Sequence, residues 1–197
     1  MSAAVVSTPS AAAAAVGEVK LQESIVTSAG ARKALALSRL AVGFVFFWAF
    51  IDKLFGLHFA TLPAKAWING GQPSQGFLSH ASEGTGYFLG GFYHAIAGPV
   101  SDALFMLGLC GIGLALLLGM GVRIAGVSAA LLLALMWIAE APWVAGAASP
   151  SNNPFVDYHV VYALVAVTAA LTLAGDTWGL GKWWANLPVV RTHAWLR

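Results

Sequence analysis

The chain has 197 residues, of which 59% are hydrophobic and only 9% charged. Soluble domains carry about 25% charged residues, so this composition excludes a chain covered by water on all sides and points to an integral membrane protein. The ten Lys and Arg are dispersed rather than clustered, so there is no nucleic-acid footprint; the single Cys110 excludes an intramolecular disulfide and a Cys-x-x-Cys redox pair.

In chain order, residues 1–34 read as a flexible cytoplasmic tail. Met1–Val16 is rich in Ala and Ser and lacks the basic n-region of a secretory signal, and Gly17–Thr27 has room for a short helix. A membrane domain follows over 35–184, with a short C-terminal tail at 185–197. The first span is expected over Ala36–Phe59, with Arg32, Lys33 and Arg39 at its start and Pro63 beyond it. The second runs from Ser101, a plausible N-cap after Gly98-Pro99, to Gly119. The third covers Ile124–Trp143 and the fourth Asp157–Ala174, separated by a Ser-, Asn- and Pro-rich loop at Ala145–Pro154. Each offers roughly 20 mostly apolar residues, enough for a hydrocarbon core of about 30 Å.

The expected fold is therefore an all-α, four-transmembrane-helix bundle. With the N-terminus cytoplasmic, Lys20, Arg32, Lys33, Arg39, Arg123, Lys182, Arg191 and Arg197 lie inside, whereas Lys53 and Lys65 alone lie outside. The positive-inside rule then places both termini in the cytoplasm, at the plasma membrane. Trp178, Trp183 and Trp184 form an aromatic belt at the inner face. The long first outer loop, 60–99, is expected to hold a short helix at Leu62–Asn69 and an interfacial aromatic segment at Gly86–Ile96, as a cap over the bundle or the lining of a ligand entrance. Gly111, Ala115 and Gly119, then Gly126, Ala130 and Ala134, then Ala166, Ala170 and Ala174 form stripes of small residues that let membrane helices approach closely.

Ionisable residues gather at one predicted level. Asp52 and Lys53 end the first span, Asp102 begins the second, Glu140 lies near the end of the third, and Asp157 and His159 begin the fourth. Arg39 and Arg123 anchor the opposite, inner face. Charges within a membrane helix are costly and tend to mark function, which favours a connected polar cluster; helix-end charges that complement the dipole are the plainer reading. Adjacent on a helix, Asp52 and Lys53 point about 100° apart and cannot simply pair. Lys53 is expected to face Asp102 or Asp157, and Asp52 to receive His159 or a donor from the first loop. His159 is a hydrogen-bonding or proton-relay candidate with Asp157 beside it, and Tyr162, one turn on, extends that network. His58 and His94 supply no ligand spacing such as His-x-x-x-His, so no metal site is expected. Lys53, Asp157 and His159 are the candidate catalytic groups.

Several segments carry a family resemblance. They are Arg39-Leu-Ala-Val-Gly-Phe, Asp52-Lys53-Leu-Phe-Gly, Trp67-Ile-Asn-Gly-Gly-Gln-Pro and Gly76-Phe-Leu. Further on come Leu104-Phe-Met-Leu-Gly-Leu, Leu116-Leu-Leu-Gly-Met-Gly-Val-Arg-Ile-Ala125, Asn153-Pro-Phe-Val-Asp-Tyr-His-Val-Val-Tyr162 and Ala174-Gly-Asp-Thr-Trp-Gly-Leu-Gly-Lys-Trp-Trp184. In this order, over about residues 36–184, the chain resembles the DoxX/DoxD family, named from the small membrane subunit of a thiosulfate:quinone oxidoreductase. The resemblance implies a quinone as cofactor, a partner redox subunit and a role as the membrane subunit of a quinone-linked oxidoreductase; it carries no catalytic motif onto particular residues. A non-catalytic scaffold or accessory subunit of a redox or stress-response assembly is the alternative, and a small-solute transporter is third.

Overall fold

A computed structural model describes residues 19–83, 89–140 and 153–197. All regular structure among them is helical. The first long helix, α1 (Ala29–Phe55), begins well before the expected start because Ser28 caps it, its hydroxyl accepting from the Ala31 amide at 3.3 Å. Arg32 sits inside the first turns and donates to the Val26 and Thr27 carbonyls, which lets a basic residue belong to the helix rather than flank it. The helix also stops before Phe59. Gly56 takes φ 68°, and a Cβ there would lie 2.6 Å from the Pro63 Cα, so the chain turns where only glycine fits.

Two short helices lie in the first loop, α2 (Gln75–Glu83) and α3 (Gly90–Ile96), packed on each other. The expected helix at Leu62–Asn69 is a pair of 3-10 turns, Pro63–Lys65 and Trp67–Asn69, ended by Gly70. Of the expected aromatic segment at Gly86–Ile96, residues 86–88 lie outside the described residues; in the remainder Tyr93 is buried, its hydroxyl donating to the Leu135 carbonyl at 3.1 Å, whereas Phe92 and Ile96 stay exposed.

Next come α4 (Pro99–Leu118), α5 (Val122–Glu140) and α6 (Tyr158–Leu171). Ser101 is not the N-cap of α4. Gly98 is, with Pro99 in the first helical position, and the Ser101 hydroxyl turns back to accept from the Gly98 amide and donate to its carbonyl. The expected end of the third span, through Trp143, and most of the Ala145–Pro154 loop lie outside the described residues. The helix α6 ends earlier than Ala174, giving way to a 3-10 turn at Ala174–Asp176.

The long helices pack as a ring in which α1 touches α4 and α6, and α5 touches the same two. Met106, Leu116, Ala129 and Ala166 lie fully buried at its centre. Close approach falls at Gly113, where a Cβ would lie 2.7 Å from the Phe47 amide of α1, and at Gly126, where it would lie 2.9 Å from the Ala170 Cβ of α6. The expected contact at Gly111 does not form: that position faces open space. Among the described residues, α1, α4 and α5 are long and apolar enough to cross a membrane; α6 is apolar but has 14 residues. Leu104, Leu107, Val127, Leu131 and Leu164 are largely exposed, as lipid-facing side chains are.

The segments read as tails fold back onto the bundle. Residues 1–18 lie outside the described residues, but Gln22 is fully buried, its amide donating to Asp176 Oδ2 at 2.8 Å. At the other end of the chain α7 (Gly181–Ala185) and α8 (Pro188–Thr192) bring Arg197 to the same Asp176 oxygen at 2.7 Å. Of the predicted aromatic belt, Trp178 and Trp183 are exposed, whereas Trp184 donates its indole N–H to the Leu196 carbonyl.

Candidate functional site

Helix direction alone sorts the ionisable residues into two ends. The C-termini of α1 and α5 and the N-termini of α4 and α6 carry Asp52, Lys53, Glu140, Asp102, Asp157 and His159. The opposite end carries Arg39 and Arg123.

At that opposite end Arg39 is fully buried and spends its guanidinium on main chain. It donates to the carbonyls of Leu116 and Leu117 at the end of α4, and to those of Ala174, Thr177 and Trp178 beyond α6. Helix C-termini leave carbonyls without partners, and one planar fork of five N–H groups satisfies several at once. Arg123 donates to the Ala194 carbonyl at 2.9 Å. Both arginines hold the fold together.

At the His159 end the residues divide into separate sites. Asp52, 2% exposed, is filled by its own loop: Leu57, Phe59 and Ala60 donate their amides to it at 3.1, 3.3 and 2.9 Å. The expected loop donors are present, and His159 is bound elsewhere. Asp102, 4% exposed, accepts from the Ser74 amide at 2.8 Å, the Ser74 hydroxyl at 2.7 Å and the Gln75 side chain at 2.7 Å. It thereby pins the start of α2 to α4. Lys53 does not pair with Asp102 or Asp157. Among the described residues no carboxylate lies within 4.0 Å of its Nζ, which sits 6.0 Å from the centre of the Phe105 ring. Both carboxylates have closer donors, which leaves Lys53 the aromatic face.

The remaining residues converge. Asn153 organises the turn ahead of α6, its side chain accepting from the Phe155 and Val156 amides. Asp157 then caps the helix, with Oδ1 accepting from the His159 and Val160 amides at 2.9 and 3.3 Å. Its other oxygen, Oδ2, lies 2.8 Å from His159 Nδ1. An ionised carboxylate can only accept, so the contact puts a proton on Nδ1, and in the neutral tautomer Nε2 then presents its lone pair. His159 is fully buried, and Nε2 has no hydrogen-bond partner among the described residues. Tyr158 packs against the imidazole, with ring centres 4.0 Å apart and planes tilted by 32°, and donates to Glu140 Oε1 at 3.3 Å. Tyr162 joins through ring packing, its centre 6.0 Å from that of Tyr158.

His159 also lines a groove of about 260 Å³ between α5 and α6, with Leu133, Ala134, Trp137, Ala163 and Leu164. The stripe of small residues predicted on α5 thus does two things. Gly126 brings the helices into contact, and further along Ala130 and Ala134 are too short to fill the space between them. A second, almost wholly apolar cavity of about 230 Å³ lies between α2, α3, α4 and α5; the Ser74 and Ser101 hydroxyls at its wall are engaged with Asp102 and Gly98. Ser74, Gln75, Tyr158 and Trp137 escaped sequence reasoning. For Tyr158 and Trp137 a signal existed, since both flank predicted site residues on one helical turn.

Compared with known proteins, the chain matches no family model, no curated protein and no solved structure.

Proposed function

We propose that this chain is a four-span, DoxX-like membrane subunit of a quinone-linked redox complex, with both termini cytoplasmic at the plasma membrane. The observation that carries the reading is the buried Asp157–His159 pair with Nε2 unpartnered among the described residues beside a lipid-side groove. A quinone head group is a flat ring with oxygen at each end. It suits a slot lined by Leu133, Ala134 and Leu164, with its isoprenoid tail left in lipid.

In the neutral pair, Nε2 accepts a hydrogen bond from a hydroquinone hydroxyl. In the imidazolium form the same nitrogen donates to a quinone carbonyl. Electrons come from a partner redox subunit, with a reduced-sulfur compound such as thiosulfate as the donor that the resemblance implies. The positive charge gathered around Arg39, Arg123 and Lys182 supports a cytoplasmic placement of that end.

The test is purification of the complex from native membranes in mild detergent, followed by solvent extraction of bound quinone and assay of quinone reduction with the copurified partner. Bound quinone, lost in His159→Gln with the partner still attached, supports the reading. Protein that carries no quinone and reduces none with its partner overturns it. A stoichiometric partner whose binding and activity survive substitution of both Asp157 and His159 would instead indicate a scaffold.

A further inference from the structure

We infer that Glu140, Asp157 and His159 form a binding site for a divalent first-row transition-metal cation. Each brings one ligating atom within 4.8 Å of the other two, although no spacing in the sequence marks them as ligands. The end of α5 supplies Glu140, and the start of α6 supplies the other two.

Charge is the first argument. The Asp157 side chain is 4% exposed and that of His159 0% exposed, and a second carboxylate stands beside them. Among the described residues, no Lys or Arg nitrogen lies within 4.0 Å of either carboxylate. Two adjacent carboxylates with no lysine or arginine partner repel one another, and a cation removes that cost.

The second argument is which atoms are left over. Asp157 Oδ1 is taken by main-chain amides and Glu140 Oε1 by the Tyr158 hydroxyl, so each carboxylate has one oxygen anchored, and the other oxygen of Asp157 is held only by His159 Nδ1. Glu140 Oε2 is buried without a partner among the described residues. Asp157 Oδ2 and His159 Nδ1 stand 2.8 Å apart, close to the separation of ligands set at right angles on a six-coordinate ion that each meets at about 2.0–2.2 Å. The ligand set is then Glu140 Oε2, Asp157 Oδ2 and His159 Nδ1. One imidazole and two carboxylates suit Mn(II), Fe(II) or Zn(II) better than the all-oxygen shells of Mg(II) and Ca(II). The ion takes the place of the Nδ1 proton, so the proton moves to Nε2, which becomes a donor toward the groove.

The experiment titrates chelator-stripped, full-length protein in detergent with Mn(II), following free ion by electron paramagnetic resonance, and with Zn(II) by calorimetry. About one ion per chain is expected, with affinity reduced more than about tenfold in both Glu140→Gln and His159→Gln. Glu140→Asp, which keeps the charge, retains binding more nearly than Glu140→Gln does. Wild-type protein that binds neither ion, or binding undiminished in both variants, overturns the site. If one variant fails to stay monodisperse, the other decides. Quinone extraction on the same metal-free protein separates the two readings: quinone without metal sinks this inference alone, and metal without quinone sinks only the other.

Discussion

The two ends of the bundle use charge in opposite ways. At one end Arg39 meets five carbonyls, and Asp176 is held by Gln22 and Arg197. At the other, Asp52 and Asp102 are just as fully engaged, but Glu140 Oε2 and His159 Nε2 are buried without partners among the described residues. Depth and charge alone therefore do not mark function here. Gln22 Nε2 and Arg197 Nε, at the Arg39 end, are also buried without partners among the described residues, but both are N–H donors within a packed network. What separates the His159 site is an unmet carboxylate oxygen together with an unmet imidazole nitrogen beside a groove, groups that cost stability unless something binds them.

The comparison breaks most readily at Arg39. Arg39→Met should cost at least about 3 kcal/mol, because carbonyls from α4 and from the segment after α6 lose their donors together. Size-exclusion profiles and thermal unfolding in detergent read this directly. Arg39→Lys should recover little of it, since an ammonium lacks the planar fork. A variant with near-normal unfolding would show that Arg39 is dispensable to the fold. Asp102→Asn comes next, at about 1–3 kcal/mol: the amide cannot accept from both Ser74 and the Gln75 side chain. Because those donors begin α2, protease sensitivity should rise first between Gly70 and α3.

Much of this architecture was legible in the sequence, for reasons particular to each element. The apolar runs of α1, α4 and α5 exceed what a soluble helix needs, so length and composition identified them. The start of α1 was hidden because Arg32 and Lys33 resemble flanking charges, whereas Arg32 bonds to carbonyls ahead of its own helix. Grouping Asp52, Asp102, Glu140, Asp157 and His159 at one end required only helix direction. Sorting them did not follow, because Ser74 and Asp102 meet across the first loop, and that pairing is a tertiary fact with no local signature. The Asp157–His159 contact was the exception, being two residues long and anchored by a helix cap.

At the His159 site the ordering of effects should reverse. His159→Gln removes a buried imidazole and the Nδ1 donor to Asp157 but no helix cap, so stability should fall by about 1–3 kcal/mol, less than for Arg39→Met, while on the proposed quinone reading turnover should fall about a hundredfold. Asp157→Asn preserves the cap, since Asn is as good an N-cap as Asp, and loses the acceptor for Nδ1–H. Its expected signature is lost activity with unfolding close to wild type, measured on the same preparation. A drop in stability as large as that of Arg39→Met would put His159 among the structural charges and dissolve the contrast between the ends.

The smallest effect is expected at the exposed pair of Glu23 and Lys182, whose Oε1 and Nζ lie 2.6 Å apart beside the docked N-terminal segment. The Lys182 ammonium, through its hydrogen bond, holds the Glu23 carboxyl below its ordinary value of 4.5. A carboxylate with a lowered folded pKa contributes stability above that ordinary value and loses it as pH falls through the lowered one. The contribution is therefore complete at neutral pH and disappears only in the acid range below about 4.5. With both side chains more than two-fifths exposed, water and salt screen most of it. Glu23→Gln should leave the unfolding temperature unchanged at neutral pH in 0.5 M salt and lower it only slightly at low salt. A large salt-independent loss would mean that Glu23 also positions Gln22 against Asp176, which would extend the Gln22–Asp176–Arg197 network of the Arg39 end to the protein surface.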